Sequence, residues 1–121
     1  MLNCLLVGLG GFIGAVLRYL ISLIPIKNPA SFPINTFIIN IVGAFAIGCI
    51  AFAASKNENI DPKLLLFLKV GICGGFTTFS TFSLETAELI KSGSVVTAII
   101  YVIASIAIGV FVVMLPQLVL K

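Results

Sequence analysis

The sequence predicts an all-α membrane protein with four transmembrane helices, the third of them broken, in a single domain covering residues 1–121. Three observations carry that prediction. The chain is 60% hydrophobic and only 9% charged, against about a quarter charged in an ordinary soluble domain. Marking the charged residues leaves four apolar stretches near the length of about 20 residues that a spanning helix needs. The third stretch is interrupted at its centre by glycines and hydroxyl-bearing residues.

The first span runs over about 2–24 and stops at Pro25, Lys27 and Pro29, since proline removes a helix donor and clashes with the preceding turn. Met1-Leu2-Asn3 lacks the basic stretch of a secretory signal and the apolar run outlasts a signal core, so the segment is expected to remain as a span. Gly8, Gly10, Gly11 and Gly14 crowd this helix, and Gly10-x-x-x-Gly14 offers a small-residue face on which helix backbones approach closely. A dinucleotide fingerprint is excluded, because position 13 is Ile and no acid occurs before Glu58. Arg18 lies inside the span. It either snorkels to the interface, or makes a structural tie, or sets up a positive field at an aqueous entrance.

The second span, about 33–54, opens at Pro33 in a favourable first-turn position. It holds Asn40 in an otherwise apolar run, with Thr36 one turn earlier on the same face. An amide in hydrocarbon is costly unless it is paired or lines water, so Asn40 reads either as helix-to-helix glue or as a donor to a passing anion. Residues 55–61 are a short polar loop, and Asp61-Pro62 reads as a cap followed by a first-turn proline.

The third span, about 62–90, is uncharged only over the fifteen residues from Val70 to Leu84. Its adjacent Gly74 and Gly75 each cost a helix about 1 kcal/mol against Ala, and the run Thr77-Thr78-Phe79-Ser80-Thr81-Phe82-Ser83 competes for backbone partners. A broken helix persists in a membrane only where the freed backbone groups are buried in protein or line a polar cavity. If the helix resumes after Gly75, Phe79 and Phe82 share one face and Ser80 and Ser83 form the next row. The rings then either pack together or present positive edges that favour an anion without a charge to trap it. The carbonyls freed near Gly74 and Thr77 are partially negative, and two chains meeting there would enclose a cation. Glu85 and Glu88 read as an interfacial group beside Lys91. The fourth span, about 94–120, carries Tyr101, Ser105 and Gly109 at intervals of four, hence on one face.

Charge and composition narrow the function. Four spans put Lys56, Lys63, Lys69 and Lys121 on one side and Arg18, Lys27 and Lys91 on the other. That near balance gives the positive-inside rule little to act on, so insertion in both orientations and pairing as an antiparallel homodimer is expected, beside the simpler reading of one fixed orientation. The net charge of +3 is scattered, which argues against nucleic acid. Histidine is absent and no acid is expected at the middle of a span, which disfavours proton coupling. Cys4, Cys49 and Cys73 sit in apolar runs and read as small apolar filler. Enzyme activity is not expected.

The stretch Gly74-Gly75-Phe76-Thr77-Thr78-Phe79-Ser80-Thr81-Phe82-Ser83 resembles the Fluc family of bacterial fluoride channels, also called CrcB. Gly10-Gly11-Phe12-Ile13-Gly14-Ala15-Val16-Leu17-Arg18-Tyr19 resembles that family's first-helix pattern, and Asn35-Thr36-Phe37-Ile38-Ile39-Asn40-Ile41-Val42-Gly43 its second-helix pattern. The resemblance runs the length of the chain. It implies a dual-topology antiparallel homodimer in the cytoplasmic membrane, two fluoride pathways, and a structural sodium ion at the dimer centre that is not transported. Phe79 and Phe82 would furnish the aromatic box, one ring from each subunit in a given pathway, and Asn40 its amide donor. Tyr101 and Ser105 match the polar track of the fourth helix, with Thr36 near the same route. The carbonyls of Gly74 and Thr77 would hold sodium, and Arg18 and Glu85 match family positions at a vestibule or in a structural role. Asn35 stands where Gly is common, and Gly109 where a further hydroxyl can occur. The implied activity is passive export of fluoride, driven by the membrane potential and reducing fluoride toxicity. A proton-coupled carrier of the small multidrug resistance kind is the alternative, but such carriers rely on a glutamate in the first span. A helix-packing subunit without conduction is a further one.

Overall fold

The computed structural model describes residues 1–26 and 31–120. Lys27, Asn28, Pro29, Ala30 and Lys121 lie outside the described residues, and with them the proline stop at Pro29 and two charges of the orientation count. The elements are α1 (Leu2–Ser22), α2 (Ile34–Lys56), α3 (Pro62–Leu65), a π-helical stretch (Leu66–Cys73), α4 (Gly74–Phe76), α5 (Phe79–Lys91) and α6 (Val95–Val119). No strand occurs among the described residues. Four helical segments, Leu2–Ser22, Ile34–Lys56, Pro62–Lys91 and Val95–Val119, are long and apolar enough to cross a membrane. Most of their Leu, Ile, Val and Phe side chains face outward, as lipid-facing surfaces do. The small interior is centred on Ile39, Ala98 and Tyr101.

Local chemistry sets several of the ends. Asp61 Oδ1 accepts from the Lys63 N–H at 2.9 Å, with Pro62 in the first turn, so the third segment starts where its cap and proline stand. The end of α1 is closed from outside. Asn35 Nδ2 donates to the carbonyls of Ile21 at 2.9 Å and Ile24 at 2.8 Å, adding to the Ile24 N–H bond that Ile21 accepts in the closing turn at 3.1 Å. Asn35, the departure from the family's usual glycine, thus ties the start of α2 to the end of α1.

Glycines decide which helices touch. A Cβ placed on Gly10 would sit 2.7 Å from the Phe67 carbonyl oxygen and 2.8 Å from the Gly71 Cα, and one on Gly75 would sit 2.6 Å from the Gly11 carbonyl oxygen. Gly14 is equally closed, against the Ile72 carbonyl. The small face of α1 therefore meets a second one, Gly71-x-x-x-Gly75, on the third segment, and the backbones come into direct contact. Gly48 plays the same part between α2 and α6, where an added Cβ would lie 2.5 Å from the Val113 carbonyl oxygen.

This packing corrects the expectation for the paired glycines. Gly74 keeps helical dihedrals of −63° and −38°, and Gly75 lies within α4; neither makes the change of course, and Gly75 serves close approach, whereas a Cβ on Gly74 would meet nothing nearer than the Lys69 carbonyl oxygen at 3.8 Å. The backbone turns extended only after Phe76, at Thr77 with ψ of 156° and Thr78 with φ of −147° and ψ of 115°. Helical geometry resumes only at Phe79.

Gly75→Ala is expected to lower the thermal midpoint of the purified protein by several degrees, since forcing a methyl into close-packed backbone costs about 1–3 kcal/mol. Gly8→Ala, in open space, is the matched control and should leave the midpoint unchanged or slightly raised. Circular dichroism melting in detergent distinguishes the two, and equal midpoints would contradict the glycine contact.

Candidate ion pathway

The site grows out of the extended pair Thr77 and Thr78. Two consecutive non-helical residues inside an apolar segment expose N–H and C=O groups that lipid cannot satisfy. Asn40 on α2 answers both polar groups of one residue. Its Oδ1 accepts from the Thr78 N–H at 2.8 Å, and its Nδ2 donates to the Thr78 carbonyl at 3.1 Å. Because one partner is a donor and the other an acceptor, the orientation of the amide is fixed. The Thr78 hydroxyl in turn accepts from the Thr81 N–H at 3.2 Å and caps α5. Thr77 leans back, its hydroxyl donating to the Cys73 carbonyl at 3.0 Å, while its methyl packs where any side chain on Gly43 would collide.

The neighbouring carbonyls divide cleanly. In a continuous helix the Gly74 carbonyl would accept from the Thr78 N–H, which Asn40 has taken. The Gly75 carbonyl accepts instead from Arg18 Nε at 3.1 Å. Arg18 is therefore a structural tie between α1 and the interrupted segment, one of the readings open at the sequence level. No hydrogen bond among the described residues outside regular helix reaches the Gly74 or Thr77 carbonyl.

A groove of about 310 Å³ opens beside this turn, lined by Asn40, Thr77, Thr78, Phe79, Phe82, Ser105 and Ile106. Phe79 and Phe82 stand with ring centroids 5.9 Å apart and planes tilted by 43°. Phe82 packs on Tyr101 at 4.9 Å, whereas Phe79 is 79% exposed on the open side. Only one of the two N–H groups of the Asn40 amide is used by Thr78, and Ser105 Oγ is buried with no partner among the described residues. Two neutral donors are thus in place with no cation in the lining. Such a set suits a small anion of high charge density, which draws on hydrogen-bond donors and is not trapped by a formal charge.

Below Phe82 the polar residues form a separate cluster. Glu85 is not paired with Lys91 at the interface; its Oε2 accepts from the Thr36 hydroxyl at 2.9 Å and its Oε1 from the Tyr101 hydroxyl at 2.8 Å. Tyr101 is fully buried. A hydroxyl has one proton to give, so Thr36 and Tyr101 are committed to the carboxylate here, and of the two fourth-helix hydroxyls only that of Ser105, buried in the wall of the groove, is uncommitted among the described residues. Gly109 lines a continuation of the groove with Asn40, Ala44 and Ser105. A Cβ there would meet nothing closer than the Ile41 Cδ1 at 4.0 Å, so the absent hydroxyl leaves room. Sequence reasoning missed Thr78 as the clamped residue and Glu85 as an inward acceptor. Thr78 was findable as a hydroxyl residue three positions before Thr81, the spacing of an N-cap.

Among the described residues no group of His, Cys, Asp and Glu is arranged to hold a metal ion. The family profile described as "CrcB-like protein, Camphor Resistance (CrcB)" matches residues 5–116. A protein of Ruminiclostridium cellulolyticum named fluoride-specific ion channel FluC is 49% identical over 108 residues, covering 88% of this chain and 83% of its own length. Its namesakes from Shewanella pealeana and Azobacteroides pseudotrichonymphae are 46% and 42% identical, covering 95% and 86% of this chain and 93% and 84% of their own. With four membrane-capable helices and similarity over nearly its whole length, the chain is a multi-pass membrane protein and belongs to the CrcB family.

Proposed function

We propose that this protein is a fluoride channel that exports the ion passively across the bacterial cytoplasmic membrane. The observation that carries the reading is the groove in which an unused Asn40 N–H and the unpartnered Ser105 hydroxyl stand beside the Phe79 and Phe82 rings. Relatives similar over most of their length bear the name of fluoride-specific channels, and the chemistry agrees. Fluoride holds its water tightly, and amide, hydroxyl and positive ring edges replace that shell stepwise. Hydrogen fluoride, a weak acid, crosses the bilayer neutral and ionises in a less acidic cytoplasm. The membrane potential, negative inside, then drives the anion out without ATP or proton coupling.

The working unit in this reading is an antiparallel homodimer of subunits inserted in opposite orientations, each with a broken third helix. One subunit leaves its groove open along the side where Phe79 is exposed, so a second copy supplies the missing wall and the second ring. The Gly74 and Thr77 carbonyls fit a structural sodium ion: they are oxygen ligands without a helical donor, two from each chain and four from a pair. Sodium bound there would supply positive charge that draws the two extended turns together, with Arg18 occupying the adjoining Gly75 carbonyl.

Purified protein in liposomes loaded with fluoride is expected to release it rapidly once a potassium diffusion potential is set, with no proton gradient. No release in sodium-containing buffer would reject the channel. Phe79→Ile and Phe82→Ile are each expected to slow release at least about tenfold, equivalent to about 1.4 kcal/mol on the barrier, while the dimer persists on size-exclusion chromatography. Normal conduction by both would reject the aromatic route. Ser105→Ala separates conduction from folding. It removes a buried hydroxyl that has no partner and whose desolvation costs about 1–3 kcal/mol, so the thermal midpoint should hold or rise while fluoride release falls several-fold.

A further inference from the structure

The groove does not end at Gly109. Its continuation is walled by Val113 and Met114, and these two residues also wall a cavity of about 330 Å³ at the C-terminal ends of α2 and α6, whose polar lining is Ser55, Lys56 and Gln117. Shared lining residues thus set three spaces in sequence along one seam of α2 and α6, from the Phe79 and Phe82 rings toward the 55–61 loop, with the close contact of Gly48 and Val113 narrowing it before the last of them. The opposite end carries a cavity of about 370 Å³ lined by Ser31, Pro33, Glu85, Glu88, Leu89 and Ser92. The two cavities therefore differ in the sign of their linings: two carboxylates in one, one ammonium in the other.

We propose that the cavity of Lys56, Ser55 and Gln117 is the basic mouth of the anion route, with Lys56 the charge that gathers the anion from water. This rests on the conduction reading above and adds a site to it. Lys56 is not a freely ranging surface lysine, since its ammonium stands 5.7 Å from the centroid of the Phe52 ring, within cation–π range. Phe52 itself lines the cavity, so the charge is held at the opening. Gln117 adds a neutral donor inside it, while the Ser55 hydroxyl is given to the Phe52 carbonyl at 2.7 Å. A cleft of one sign with low-dielectric walls raises the local concentration of its counter-ion, and past Met114 the route carries no charge, so an anion gathered there moves on. In an antiparallel pair each membrane face carries one such mouth, so the effect of Lys56 is the same from either side.

The test measures fluoride efflux from liposomes of neutral phosphatidylcholine for wild type, Lys56→Gln, Lys56→Glu and Lys63→Glu. Lys63 is an exposed lysine at the same end of the bundle that does not line the cavity. At about 10 mM ionic strength, where the Debye length is about 30 Å, Lys56→Glu is expected to lower efflux about threefold and Lys56→Gln by less. At 1 M, where that length is about 3 Å, all variants should match wild type, and at low salt Lys63→Glu should lose clearly less than Lys56→Glu, because its charge stands outside the cavity. Wild-type efflux from Lys56→Glu at low salt overturns the mouth, as does a loss that persists at 1 M, an equal loss in Lys63→Glu, or a loss seen only when anionic lipid is added. A wild type that releases no fluoride overturns the conduction reading itself, whereas a conducting wild type with an unaffected Lys56→Glu overturns the mouth alone.

Discussion

The Thr78 backbone cannot stand in an apolar medium unless its N–H and C=O are met by protein, and the Asn40 amide meets both, at 2.8 and 3.1 Å. Much of the geometry follows from this pair of bonds. An unsatisfied backbone group in hydrocarbon costs several kcal/mol, so the clamp fixes how α2 is rotated against the interrupted segment. By taking the Thr78 N–H it also frees the Gly74 carbonyl, and by holding Thr78 extended it lets the Thr78 hydroxyl cap α5. The rotation in turn sets Asn40 in the lining of the groove that Phe79, Phe82 and Ser105 share. Of the two readings of Asn40 open at the sequence level, these bonds are the helix-to-helix tie, and they leave one amide N–H over for the anion donor of the proposed route.

The clamp depends on how closely the backbones approach. Lipid is as apolar as Leu and gives helices no hydrophobic reason to associate, so association rests on van der Waals fit and hydrogen bonds. The facing pairs Gly10 with Gly71 and Gly11 with Gly75 bring α1 against the third segment with no side chain between. That proximity lets Arg18 reach the Gly75 carbonyl. On the other side Gly43 makes room for the Thr77 methyl, so α2 comes near enough for Asn40 to span the gap. The same glycines that weaken an isolated helix by about 1 kcal/mol each are what an interrupted segment needs around it.

Spans, caps and small-residue faces were legible in the sequence because each has a local cause: runs of apolar residues between charges, Asp61 before Pro62, glycines four apart. The position of the turn was less legible. Paired glycines and a threonine pair both disturb helices, and only the contact with α1 shows that Gly75 is used for packing and Thr77 and Thr78 for the turn. Glu85 was misread for a related reason. Its neighbours along the chain, Glu88 and Lys91, suggested an interfacial ion pair, while the groups it binds, Thr36 and Tyr101, come from two other helices. Spacing along one helix gives a face, but which helix that face meets depends on close approaches elsewhere.

The Glu85 cluster bears on why an anion route here stays weakly binding. The hydroxyls of Thr36 and Tyr101 have one proton each, and both are given to a carboxylate that cannot donate in return. An anion at that level competes with Glu85 for the same two protons, so each donor serves one acceptor at a time and the gain on arrival is reduced by what the carboxylate loses. A bare pair of hydroxyls would hold the ion more tightly and release it more slowly. Ser105, with no competing acceptor among the described residues, lies on the far side of Phe82, next to Asn40. In the proposed route the uncommitted donors thus stand at the rings and the contested donors beyond them, a gradation that suits conduction through successive weak sites.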